Sequence, residues 1–140
     1  MGVLADIATY LAAQGQGIYD TSGNTSSIFT HWMPDLPAAA LSVELYGSAM
    51  VGAFLFDDTL PMSESPRLKL TARDTSPDAA FTRCYAAWKA LIGLSDVALG
   101  GVHYFSVRSV NGPAWNGTQD SNSGTLYLYG ANVQAQRVIG

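Results

Sequence analysis

A single cysteine, two histidines and few charges of either sign set the first limits on this chain. Cys84 has no second cysteine to pair with, so no intrachain disulfide can form. It falls inside an apolar helical pattern, where a buried small hydrophobe is the expected role. Charged residues make up 13% of the 140, about half the roughly 25% usual in soluble domains. A surface short of charge exposes neutral polar and apolar groups instead, which suits a chain partly covered by other proteins. Seven basic residues against eleven acidic give a formal net charge of −4. No basic stripe is present for counterion release to exploit, so no sequence-specific nucleic-acid partner is expected. The apolar stretch within residues 1–17 is short, lacks a basic start and is interrupted by Asp6. It reads as neither signal peptide nor membrane span, and a protein made and used in a cytosol is expected, with no membrane partner.

Motifs for catalysis are equally scarce. His31 and His103 fall in separate strand candidates, without a cysteine, second histidine or carboxylate at ligand spacing. The sequence has no G-x-S-x-G elbow, no P-loop and no G-x-G-x-x-G. Asp120-Ser121-Asn122-Ser123-Gly124 looks like the start of a calcium loop, but no glutamate follows to close it, so a turn is the better reading. Asp57, Asp58 and Glu64 are read as solvated loop acids. Asn24-Thr25-Ser26 and Asn116-Gly117-Thr118 fit the glycosylation sequon and mark surface loops only. The expectation is a protein that is not an enzyme and carries no metal or cofactor.

What is present is a clear alternation of periodicities over one domain, residues 1–140. Leu4, Ile7, Ala8 and Leu11 share one helical face, and Gly15 and Gly17 stop that helix. Residues 28–33 form a short strand candidate ended by Pro34. Leu41, Val43 and Leu45 alternate with polar neighbours in a second. Residues 66–73 form a third, with Leu68, Leu70 and Ala72 on one face and Arg67, Lys69, Thr71 and Arg73 on a wet, basic one. Ser76-Pro77-Asp78 starts a second helix running to Ile92, with serine as cap, proline at the first position and an acid at the positive end of the dipole. Its apolar face is read as Phe81, Cys84, Tyr85, Trp88, Leu91 and Ile92. Residues 97–99 and 102–110 make a hairpin around Gly100-Gly101. Residues 111–123 read as a polar excursion, 124–133 as the last strand and 134–140 as a frayed tail. The order is α-β-β-β-α-β-β-β, an α+β fold whose mostly antiparallel sheet has two helices packed on one face.

Two regions carry more apolar and aromatic residues than such a core consumes. One is the segment 47–65, read as a partly extended arm containing Met50, Val51, Phe54, Leu55 and Phe56. The other is Tyr127 and Tyr129, read as lying on the sheet face that helices leave open. These seven residues are the candidate subunit-interface set, because exposed apolar patches mark interaction sites and tyrosine suits interfaces.

Several segments, in order, resemble the minor capsid or tail terminator proteins of long-tailed bacteriophages. They are Asp6-Ile7-Ala8-Thr9-Tyr10-Leu11 with Gly15 and Gly17, the turn Met33-Pro34-Asp35-Leu36-Pro37, the strand Pro66 to Arg73, the helix exit Leu91-Ile92-Gly93-Leu94, and Gly112-Pro113, Gly117, Asp120 and Gly124 before Tyr127. The sequence departs from the family's pattern over 47–65, where a polar, proline-bearing loop belongs. The resemblance implies a virion protein of the head–tail interface: a homo-oligomer, a hexameric ring, that caps the tail tube and contacts the tail tube protein and a head-closure or connector protein. Negative charge would suit a channel through which DNA slides, provided Arg67, Lys69 and Arg73 do not line it. Another neck or tail-tube protein, and a small-molecule binding module with the 47–65 arm as lid, stand as alternatives.

Overall fold

The computed structural model describes residues 2–20, 25–47, 50–51, 63–122 and 124–138, with backbone alone at 47, 50 and 51. The first helix, α1, spans Val3–Ala13. Its end is a Schellman arrangement. Gly15, at φ 81°, donates its N–H to the Ala12 carbonyl and Gln16 donates to that of Leu11, both at 3.0 Å. Ile7, Ala8 and Leu11 are buried as their spacing predicts, but Asp6 is buried with them.

The strands are β1 (Ile28–Phe29), β2 (Ala40–Gly47), β3 (Met50–Val51), β4 (Ser63–Glu64) and β5 (Arg67–Asp74), then β6 (Ser95–Leu99), β7 (Val102–Ser121) and β8 (Gly124–Val138). They form one sheet in which β8 is central. β5 and β4 lie end to end along one edge of β8, with β2 and β1 beyond β5 and β3 beyond β4. The β7 strand and then β6 lie along the other edge. Among the described residues, β1 and β2 pair in parallel and the other strand pairs are antiparallel. The second helix, α2, spans Pro77–Leu91; the Ser76 hydroxyl accepts the Ala79 N–H at 3.2 Å, as the Ser-Pro-Asp start requires.

Register assigns the faces. Leu68, Leu70 and Ala72 stand opposite Val133, Ala131 and Tyr129 on one side, and opposite Leu45, Val43 and Leu41 on the other. This face carries the core with α1 and α2, and both helices pack on it. Burying each large aliphatic side chain there contributes roughly 1.5–3 kcal/mol before ordering costs.

Four readings from sequence are corrected. Residues 111–121 are no polar excursion: β7 runs on through them for 20 residues in all, absorbing Gly112-Pro113 and Asn116-Gly117 in bulges against β8. Residues 134–138 are no frayed tail, because β4 and β7 both pair with them. Helix α2 buries Ala80, Cys84, Ala87 and Leu91, so small side chains let it approach the sheet closely, and Phe81 and Tyr85 stay about two-fifths exposed. Finally, Arg73 is not on a wet basic face. It is fully buried on the face opposite the helices, where it cannot line a channel. The arm 47–65 enters through β3 and leaves through β4; Phe54, Leu55 and Phe56 lie outside the described residues.

Candidate subunit interface

Beyond the core, the helix side of the sheet carries a continuous run of rings. Trp115 on β7 stands opposite Tyr129 on β8, with centroids 5.5 Å apart edge to face, and 6.2 Å from Tyr127. Tyr129 meets Phe81 of α2 edge to face at 5.4 Å, Phe81 stacks on Tyr85 at 6.0 Å, and Tyr85 meets Trp88 at 5.8 Å. The Trp88 indole N–H donates to the Ser109 hydroxyl at 3.0 Å. Ring pairs of this geometry are favourable beyond their area and stiff, because each ring has few rotamers. Trp115 remains 53% exposed, Phe81 42% and Tyr85 41%. The Lys89 ammonium lies 5.8 Å from the Tyr85 centroid, a cation–π distance. This band is a firm, half-wet aromatic surface.

Tyr127 and Tyr129 belong to this band, on the helix side and not on the open face as expected. Tyr129 pairs with Ala72 and Tyr127 with Asp74, the last residue of β5, so both stand half-buried at the end of that strand, and Trp115 lies on the stretch of β7 beyond Ser106, where pairing with β6 has ended. Met50 and Val51 pair with Glu64 and Ser63 in the short β3–β4 ladder, which fixes their backbone. Phe81, Tyr85 and Trp115 were missed as surface residues. The signal was present in α2, where Ala80, Cys84, Ala87 and Leu91 recur at i, i+4, i+7 and i+11 and form a second, smaller apolar stripe.

On the other face, Arg73 organises the loop between β1 and β2. Its guanidinium donates to the carbonyls of Pro34 at 2.6 Å, Pro37 at 2.7 Å and Ala38 at 3.2 Å, and more weakly to Gln119 Oε1 at 3.5 Å. Burial lowers its pKa from the ordinary value, while Asp35 nearby supports the charge. The Met-Pro-Asp-Leu-Pro turn and the strand Pro66 to Arg73, two separate sequence motifs, are thus one physical unit. The turn so held leaves Trp32 75% and Leu36 68% exposed.

A buried polar cluster joins α1 to β4, β7 and β8. The Tyr104 hydroxyl donates to Asp6 Oδ2 at 2.8 Å; Arg137 reaches Asp6 Oδ2 at 3.4 Å and Glu64 Oε1 at 2.6 Å. Glu64 is therefore an ion-pair partner and not a free loop acid. Burial, then the hydrogen bond to Asp6, raises the Tyr104 pKa. For Arg137 burial opposes the charge, but the hydrogen bond to Glu64 and the neighbouring Tyr104 outweigh it, and its pKa rises. Asp6 Oδ1 is buried without a hydrogen-bond partner among the described residues. Asp6 and Tyr104 are 1% and 0% exposed, while Arg137 and Glu64 reach the surface at the rim, and the contacts tie α1 to β4, β7 and β8.

His31 is exposed in the bend after β1. His103 does have a carboxylate after all: its Nε2 lies 3.4 Å from Asp96 Oδ1 across the β6–β7 hairpin, with both groups largely exposed. The turn of that hairpin brought them together, at Gly100 and Gly101 with φ of 58° and 80°. Among the described residues no group of three or more His, Cys, Asp or Glu is placed to hold a metal ion. None of the described helices is long and apolar enough to cross a membrane.

The architecture has a counterpart among solved structures. A chain from the virion of a native gene transfer agent particle superposes with a TM-score of 0.61. The match covers 98% of this chain and 95% of that one, at 13% sequence identity. The two share a fold. No protein-family profile and no curated protein sequence matches the chain.

Proposed function

We propose that this chain is a structural subunit of a phage-like virion, and within it a tail terminator that closes into a ring at the head-proximal end of the tail tube. The observation that carries the reading is the end-to-end correspondence in fold with the gene transfer agent virion chain. Two features of the molecule support it. The half-exposed aromatic band gives a stiff apolar surface of the kind that protein interfaces bury. The functional clusters are structural ties, with Asp6 and Tyr104 closed to solvent. The partners of this reading are further copies of the chain, a tail tube protein and a head-side connector. Tyr127 and Tyr129 would contribute to the subunit contact from the band, and Met50 and Val51 from the β3–β4 ladder.

Light scattering across a concentration series tests it. A closed ring gives one plateau at a small multiple of the chain's 14.8 kDa, six-fold for the hexamer. A tube protein would instead grow without a plateau into extended stacks visible by electron microscopy. A monomer at every concentration refutes the ring.

A further inference from the structure

The chain carries two stiff apolar features on opposite faces of its sheet, and each has one exposed charged side chain beside it, Asp35 at the first and Lys89 at the second. On the face away from the helices, the turn clamped by Arg73 presents Trp32 and Leu36, 75% and 68% exposed, with Asp35 exposed between them. On the helix face, Phe81, Tyr85 and Trp115 form the exposed part of the aromatic band, and the cation lying against it is Lys89. The other nearby cation, Arg83, is occupied by Asp74 at 3.2 Å. The face assignment rests on register. Arg73 stands opposite Leu128, whereas its neighbour Ala72 stands opposite Tyr129, which touches Phe81.

We infer that the turn bearing Trp32, Asp35 and Leu36 is a knob that docks on the Phe81–Tyr85–Trp115 band of a second copy of this chain, with Asp35 against Lys89. The contact deepens the ring reading above and rests on it. Charge decides between a second copy joined head to tail and one joined by a two-fold axis. Knob against knob would bring Asp35 toward Asp35, and band against band would bring Lys89 toward Lys89, so both symmetric contacts set like charges together. Knob against band pairs opposite charges and buries apolar surface on both sides. Because the two features lie on different faces, each subunit has one of each to offer, and such a contact propagates around a ring until it closes. The knob needs no folding on contact: its backbone carbonyls are already held by a buried guanidinium, which lowers the ordering cost of association.

The test uses two variants of the full chain, Trp32→Glu and Tyr85→Glu, with circular dichroism to confirm that each keeps the wild-type spectrum. Each alone is expected to sediment as a monomer at concentrations where the wild type assembles. A one-to-one mixture is expected to form a dimer of twice the chain mass and nothing larger, because only the intact band of one variant and the intact knob of the other remain. A second pair, Asp35→Lys and Lys89→Asp, leaves the rings in place. Each reversal alone is expected to weaken assembly about tenfold or more, and the double variant to recover it. A mixture that stays monomeric, or a double reversal weaker than either single one, overturns the contact. Rings that persist in both glutamate variants overturn the contact alone, whereas a monomeric wild type overturns the ring reading together with it.

Discussion

Replacing Arg73 with methionine separates the loop-clamping account from one in which the turn holds itself. The guanidinium is fully buried and bonds the carbonyls of Pro34, Pro37 and Ala38, which lie 39, 36 and 35 residues away in sequence. A hydrogen bond to a charged group contributes about 1.5–3 kcal/mol, but such contributions are not additive within one cluster. Methionine also removes the desolvation cost of the cation, and the released turn can hydrate its carbonyls. Because the partners left behind are neutral carbonyls, the expected net loss is about 1.5–3 kcal/mol. With a urea m-value of about 2 kcal/mol/M, the midpoint should fall by about 1 M without a change in slope. Hydrogen exchange should quicken at the amides of residues 30–39 before it does elsewhere. Arg73→Lys should fall between, because a compact ammonium cannot span acceptors spread around a planar fork. A midpoint shift under about 0.5 M for Arg73→Met, with unchanged exchange in the turn, would refute the clamp.

Other consequences follow from the cluster, the helix cap and the cysteine. Tyr104→Phe removes the hydroxyl that Asp6 accepts and should cost about 1.5–3 kcal/mol by urea unfolding. The folded Tyr104 pKa is raised above its ordinary value of 10.0, so its contribution is complete below about pH 10 and is lost as pH climbs toward the folded value. The wild type should therefore lose stability above about pH 10 more steeply than Tyr104→Phe, read by thermal melts at stepped pH. Ser76→Ala should lower stability by about 1 kcal/mol through the lost cap, with Ser76→Thr close to wild type. Cys84 is buried and its thiol is pushed up to about 12 by that burial. Iodoacetamide at pH 8 should label it only as fast as the protein opens and rapidly once denatured; prompt labelling of the native chain would contradict its place in the core.

The parts of the fold legible in the sequence are those whose cause lies within a few residues. The Ser-Pro-Asp start of α2, the glycine stop of α1, the Gly100-Gly101 hairpin and the buried apolar side of β5, Leu68, Leu70 and Ala72, stand as read. Each is a local preference of backbone or side chain that tertiary packing reinforced. The misreadings share a different cause. Gly112, Pro113 and Gly117 look like loop formers, yet bulges against β8 absorbed them. Arg137 looked like part of a polar tail because its partners, Asp6 and Glu64, are 131 and 73 residues away. The interface candidates divide in the same way. Aromatic richness was visible in Tyr127 and Tyr129, but which side they occupy depended on their register with β5, where Tyr129 stands opposite Ala72 on the helix face.

The sequence by itself determined the two helices, most strand positions and a surface poor in charge, since hydrophobic period and turn chemistry are properties of neighbouring residues. Only tertiary structure decided which polar groups would be buried and which aromatic ones left wet. Arg73 and Asp6 went inside because acceptors and donors from distant segments met them there. Phe81, Tyr85 and Trp115 stayed partly outside because small residues let α2 sit close to the sheet and β6 pairs with β7 only as far as Ser106, short of Trp115. Burial belongs to the whole chain, and no window of a few residues contains it.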